Sequence, residues 1–208
     1  MNDLPTIFRD DHLLVLDKPS GLLAVPGRGP ELADCLSARV QAIFPAALVV
    51  HRLDRDTSGV FLMALTPQAQ RELGRQFEAR TVEKRYVAIV HGSPREPEGV
   101  IELPLRKDFD RPPRHMVDLE LGRPAVTRYR VLESTGAQSR LELSPLTGRS
   151  HQLRVHLAAI GHPILGDPLY AEEAVQMLAS RLMLHAESLA IEHPVSEERV
   201  RWTVPVPF

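Results

Sequence analysis

Six residues a quarter of the way along the chain, His51-Arg52-Leu53-Asp54-Arg55-Asp56, gather two carboxylates, two guanidinium groups and an imidazole around one leucine. Side chains of these types can attack an electrophilic carbon or carry a proton. The same composition also suits a solvated loop with surface ion pairs, because charged turns are common. Residue types alone leave both readings open. The flanks sharpen the question. Val49-Val50 comes before, and the apolar run Gly59-Val60-Phe61-Leu62-Met63-Ala64-Leu65 follows with the length and residue types of a buried strand. Charge set between two apolar strands is costly unless it is paired.

A second polar cluster, Thr147-Gly148-Arg149-Ser150-His151-Gln152-Leu153-Arg154-Val155-His156, opens a predicted helix. Ser150 is its expected N-cap, Leu153, Leu157 and Ile160 its buried stripe, and Gly161 its left-handed end. His151 and Arg154 are three apart, which puts them on an edge neighbouring that stripe rather than on the buried face. His151 and His156 are five apart. Two histidines that share a metal on one helix stand at i, i+4, so no metal site is expected.

The elements that must position these groups alternate strands and helices. Residues 6–18 read as a hairpin turned by Asp10-Asp11. A Pro- and Gly-rich loop follows over about 19–30, with Lys18 as a plain surface residue of structural use. Leu36, Val40 and Ile43 predict a helix stopped by Pro45. Thr66 and Pro67 give an N-cap and first-turn proline for a helix with Ala69, Leu73 and Phe77 on its apolar stripe. Glu83–Val90 reads as a strand. Residues 93–125 hold eight prolines or glycines and therefore predict long connections with short strands. Thr127–Glu133 and Arg140–Ser144 read as strands, the tail returns to strands, and His185 is expected to be buried and hydrogen-bonded.

The chain has 208 residues, a net charge of −2 and one cysteine, Cys35. That length suits one domain with a core of its own. A single cysteine excludes an internal disulfide framework and fits a reducing compartment. No run of 18 apolar residues is present, and Met1–Pro5 lacks the basic and apolar regions of a signal peptide, so a cytoplasmic protein is expected. Net charge argues mildly against a simple nucleic-acid binder. Residues 106–130 nonetheless carry seven Lys or Arg against four acids.

The segment His51-Arg52-Leu53-Asp54-Arg55-Asp56-Thr57-Ser58-Gly59 resembles the signature of the RluA family of pseudouridine synthases. Further likenesses support it: Lys18-Pro19-Ser20-Gly21 to the family's Lys-Pro-x-Gly segment, Lys84-Arg85-Tyr86 to Lys-x-Tyr, and Gly148–Arg154 to Gly-Arg-x-His-Gln-Leu-Arg. Arg181–Ala186 resembles a segment that lines the family's active site. Arg111–Val117 and Gly122–Thr127 resemble the insert of its dual-specificity branch. The resemblance implies one α+β catalytic domain over residues 1–208, without the S4 RNA-binding module of many relatives. It implies a mixed, mostly antiparallel sheet with flanking helices and a central active-site cleft. It also implies an isomerase that needs no cofactor and acts as a monomer on stem-loops of 23S rRNA and tRNA.

By the same resemblance Asp54 is the nucleophile, with Arg154 as its charge partner. Tyr86 stacks on the uracil and is the candidate for taking the C5 proton. Arg52 fills the space of the flipped base. Leu182 and Leu184 complete an apolar wall, and His51 and Arg149 are further substrate-binding residues. Three other readings account for part of the pattern. A tRNA-only single-domain relative would keep the charged Arg55-Asp56 pair. A glycoside hydrolase would need a second carboxylate, for which Asp56 is the candidate. A non-catalytic RNA-binding domain would show strong positive charge and more than the 5 % aromatic residues found here.

Overall fold

The computed structural model describes residues 5–208; Met1–Leu4, on which the signal-peptide reading rested, lie outside them. Twelve strands and four α-helices are found among the described residues. In chain order they are β1 (Thr6–Arg9), β2 (Leu13–Lys18), α1 (Leu36–Gln41), β3 (Leu48–Val49), β4 (Ser58–Ala64), α2 (Pro67–Ala79), β5 (Glu83–His91) and β6 (Glu98–Glu102). Then come β7 (Leu105–Lys107), β8 (His115–Val117), β9 (Val126–Ser134), β10 (Gln138–Pro145), α3 (Gln152–Ala159), α4 (Glu173–Gln176), β11 (Leu184–Glu192) and β12 (Arg199–Thr203). This is the expected α+β class, built on a mixed, mostly antiparallel sheet with few helices. Among the described residues no helix is long and apolar enough to cross a membrane.

The chain forms two compact units, passing from the first to the second inside β5 and returning inside β11. The first unit comprises residues 5–84 with Ala186–Pro207. Its strands run in the order β1-β2-β4-β11, with β3 on β4 and β12 on β11. Asp10 makes the expected hairpin turn by accepting the His12 and Leu13 N–H groups at 2.7 and 2.6 Å. Every residue of β4 is buried, as a strand covered on both faces should be. Thr66 caps α2 by accepting the Ala69 N–H at 3.1 Å. Helix α2 then packs Ala69 and Leu73 on Val60, Leu62, Leu189 and Ile191 to form this unit's core. Helix α1 is shorter than its apolar spacing suggests. It starts from Cys35 and ends at Gln41, leaving Ile43 52 % exposed rather than on a buried stripe.

The second unit comprises Arg85–His185 with Phe208. Its sheet has the order β5-β10-β9-β6, all antiparallel, and β7 and β8 form a separate hairpin. Alternate residues of β10, Leu141 and Leu143, meet Leu153 and Leu157 of α3 in the core. Helix α3 departs from expectation. His151, not Ser150, is its N-cap, and all of Gln152–Leu157 is buried rather than one stripe. The reason is that its polar side chains have partners inside this unit. Its C-terminal end is as read: Gly161 has φ +84. The Gly161 N–H bonds to Ala158 O and the His162 N–H to Leu157 O, the paired bonds of a Schellman motif.

Candidate functional site

In the first unit, the signature loop is a tight turn stitched to its neighbour. The Thr57 N–H returns to Asp54 O at 3.2 Å, closing the turn 54–57. Arg55 O accepts the Gly21 N–H at 3.0 Å, Arg55 Nε donates to Gly21 O at 3.0 Å, and Ser20 Oγ donates to Asp56 O at 2.7 Å. Lys18 secures the join. Far from lying on the surface, it is completely buried. Its Nζ donates to Pro19 O, Leu22 O and Arg55 O at 2.9, 2.5 and 2.8 Å. Three carbonyl dipoles replace the water that a buried ammonium would otherwise lose. Within the loop Arg52 is exposed, Leu53 buried and Asp54 half-buried, the alternation of an extended segment.

His51 does not sit as a substrate ligand would. Its Nε2 accepts the Leu62 N–H at 2.9 Å, and its ring lies 5.1 Å from Phe77, stacked, and 5.0 Å from Phe61. Strand β3 pairs Leu48 with Ala64 and Val49 with Met63, then stops. The imidazole takes over as acceptor for the next strand residue, Leu62. Burial, with Lys84 nearby as the smaller cause, pushes the His51 pKa down to about 3. The ring is neutral, its Nε2 is an acceptor, and its proton is on Nδ1. Gly59 ends the signature because φ is +111 there, and a Cβ would come within 2.2 Å of Ala186 O.

In the second unit, Tyr86, Leu182 and Leu184 join one apolar cluster with Leu143 and Leu153. The two leucines are each 2 % exposed and belong to the core against which the half-buried Tyr86 packs. Arg154 is also buried, not on a helix edge. Its Nε and Nη2 donate to Asp167 Oδ2 and Oδ1 at 2.8 and 2.6 Å, with the two side chains 2 % and 0 % exposed. Asp167 Oδ1 further accepts the Leu169 and Tyr170 N–H groups. Gly166 makes this turn possible: φ is +72, and a Cβ would lie 1.9 Å from Arg181 O. Asp167 is thus an ion partner of Arg154 that reading the sequence, which named Asp54, did not include.

A buried network fixes the start of α3. Gln152 Nε2 donates to Val126 O and Thr127 Oγ1, while its Oε1 accepts Thr147 Oγ1 and the Arg149 N–H. Thr127 Oγ1 meets His156 Nδ1 at 3.0 Å, and His156 Nε2 donates to Leu103 O at 2.9 Å. Because that carbonyl can only accept, His156 carries its proton on Nε2, and burial lowers its pKa. Arg149 reaches Pro124 O through Nε at 3.2 Å. Asp167 and Tyr170 carry no motif that marks them in the sequence beyond Gly166-Asp167-Pro168, a turn signal that points to the first. Among the described residues no three His, Cys, Asp or Glu side chains are grouped as a metal ion would need.

The profile describing RNA pseudouridylate synthase matches residues 12–159. The dual-specificity RNA pseudouridine synthase RluA of Escherichia coli (strain K12) is 48 % identical over 206 residues, covering 99 % of this chain and 94 % of that protein. Its counterpart from Yersinia pestis is 51 % identical over 189 residues, 90 % of this chain and 92 % of that one. Among solved structures, human RNA Pseudouridylate Synthase Domain Containing 1 superposes with a TM-score of 0.82 at 31 % identity, covering 99 % of this chain and 84 % of that one. Signature turn, buried arginine helix and these likenesses agree: the chain belongs to the RNA pseudouridylate synthase family and is an isomerase that acts on RNA.

Proposed function

We propose that this protein converts uridine to pseudouridine in stem-loops of 23S rRNA and tRNA, with Asp54 as the nucleophile. The reaction breaks the C1′–N1 bond, turns the uracil and rejoins C5 to C1′; one proton leaves C5 and one is taken up at N1. Composition is unchanged and no electrons are exchanged, so Asp54 supplies the attacking carboxylate and no redox partner is needed. Tyr86 is assigned to the uracil face and to the C5 proton, and Arg154 to holding negative charge at the site. Arg52 is assigned to the space left by the flipped base, whose extrusion costs a few kcal/mol. Arg149 is assigned to the RNA backbone. His51, Leu182 and Leu184 become supports for these residues rather than ligands.

The observation that carries this reading is the turn 54–57, fastened by its backbone to loop 18–22 while Asp54 stays half-buried beside the exposed Arg52. Preorganised charge on a rigid turn is what nucleophilic attack needs. The likeness to a dual-specificity enzyme over nearly the whole chain favours the two RNA classes. We propose further that the whole chain works as one catalytic domain and as a monomer. The buried free thiol of Cys35 suits the cytoplasm.

Asp54→Asn tests the assignment. The variant should make no detectable pseudouridine in a 23S hairpin transcript or a tRNA anticodon stem-loop, while binding both with near-normal affinity. Appreciable turnover by Asp54→Asn would exclude a nucleophilic role.

A further inference from the structure

Tyr170 stands where the β7–β8 hairpin meets the arginine helix. Its ring centroid is 5.1 Å from Arg154 Cζ and 5.2 Å from Arg114 Cζ, the second belonging to the turn that leads into β8. Its hydroxyl accepts the N–H of His115, the first residue of β8, at 2.8 Å, and shares a 2.6 Å hydrogen bond with His151 Nδ1. His151 holds a left-handed backbone, φ 57, at the N-cap of α3. A non-glycine residue keeps that conformation only where its surroundings impose it. Edge contacts add to the cluster: the His151 ring lies 5.6 Å from Tyr170 and 5.2 Å from His115. Beneath them Tyr170 and Val117 pack on Leu105, Ala125 and Val155.

We infer that Tyr170 is a positioning residue with two separable tasks: its ring face seats the Arg154 guanidinium, and its hydroxyl fastens the β7–β8 hairpin to the start of α3. The inference rests on the assignment of Arg154 to the catalytic site. The first task follows from geometry. Asp167 fixes the Arg154 fork from one direction, and an aromatic face within about 6 Å attracts a guanidinium and limits its remaining tilt. The second gives the hairpin a defined place beside the helix. In and around the hairpin Arg106 is paired with Asp118 and Arg111 with Asp108, while Lys107 and Arg123 add positive charge and Phe109 is 72 % exposed. Cations together with an open aromatic ring suit the phosphates and unstacked bases of an RNA loop. Tyr170 therefore ties the surface that meets RNA to the arginine that serves the chemistry.

Two substitutions separate the tasks. Tyr170→Phe keeps the ring and removes the hydroxyl; Tyr170→Leu removes both. Single-turnover rates at saturating RNA and binding affinities are measured on a tRNA anticodon stem-loop transcript, with Arg154→Lys alongside and folding checked by circular dichroism. Tyr170→Phe should weaken RNA binding about three- to tenfold through the loosened hairpin. Tyr170→Leu should show the same weakening and, in addition, a saturating rate about tenfold below that of Tyr170→Phe. Equal saturating rates for the two variants overturn the ring's role. Unchanged affinity in both overturns the hydroxyl's. Arg154→Lys at full rate would remove the catalytic assignment, and the inference with it. An inactive Arg154→Lys beside an unimpaired Tyr170→Leu overturns the role of Tyr170 alone.

Discussion

His51 ties the stability of the first unit to pH in a direction that can be worked out beforehand. Its pKa falls from 6.5 to about 3 on folding because the ring is buried between Phe61 and Phe77, with Lys84 adding repulsion. A depressed histidine pKa means that the unfolded chain binds the proton more readily. Stability from this group is therefore complete above pH 6.5 and is lost as pH falls toward 3. With 1.36 kcal/mol per pH unit, the loss between pH 7 and 4.5 is about 2.5 kcal/mol, and between pH 7 and 5.5 about 1.3 kcal/mol. His51→Gln is the reference, since its carbonyl can reach the Leu62 N–H and does not titrate. Urea unfolding of both proteins at pH 7, 5.5 and 4.5 gives the difference, in which the other titrating groups cancel. At pH 7 the variant should be less stable by about 1–3 kcal/mol, having lost ring packing. By pH 4.5 the wild type should have given up about 2.5 kcal/mol of that lead. Parallel pH profiles for the two proteins would refute a buried, neutral His51.

Asp167→Asn removes the carboxylate charge that faces the buried Arg154 fork and should destabilise the protein by about 3–5 kcal/mol in denaturant titration. Arg52→Ala, at an exposed position, should change stability by less than about 1 kcal/mol yet slow single turnover on a folded stem-loop by about a hundredfold, if about 3 kcal/mol of flipping support is lost. A short unstructured RNA should suffer less from Arg52→Ala, and equal losses on both substrates would end the flipping assignment. Lys18→Met leaves the Pro19, Leu22 and Arg55 carbonyls short of a donor; a cost of about 3 kcal/mol should lower the Tm by about 6–12 °C in calorimetry.

Local signals were legible in the sequence and longer-range ones were not. Asp10, Thr66 and Gly161 each act through bonds to residues within four positions, and each does what its type and place suggested. The strands with several apolar positions, β4, β5, β9 and β10, were also readable. Helix α3 buries more than its Leu153, Leu157 and Ile160 stripe because Gln152, Arg154 and His156 find polar partners inside the unit. Their partners Thr127, Asp167 and Leu103 are 25, 13 and 53 residues away. Lys18 was misread for the same reason, as one of its acceptors is Arg55, 37 residues on. His51 shows the limit of a motif. The signature marks the residue, but only the early end of β3 shows that its imidazole completes the strand pairing.

The two buried cations are each matched to the shape of what they hold. At Lys18, oxygens from Pro19 and Leu22 of its own loop and from Arg55 of the signature turn converge. Left alone, their negative ends would repel, and a tetrahedral ammonium meets them with three separate donors from one atom. At Arg154 the acceptor is a single planar carboxylate, and a planar fork meets both oxygens at once. Neither cation could replace the other: a guanidinium is too broad for the space among three carbonyls, and an ammonium gives a carboxylate no parallel pair of bonds. Burying either charge is expensive, and apolar residues would serve stability as well or better. What distinguishes these two places is what they fix. Lys18 holds the turn that presents Asp54, and the Arg154–Asp167 pair locks the helix whose first turn carries the chemistry assigned to this unit. Stability is given up there for a geometry that an apolar core, with no directional bonds, could not impose.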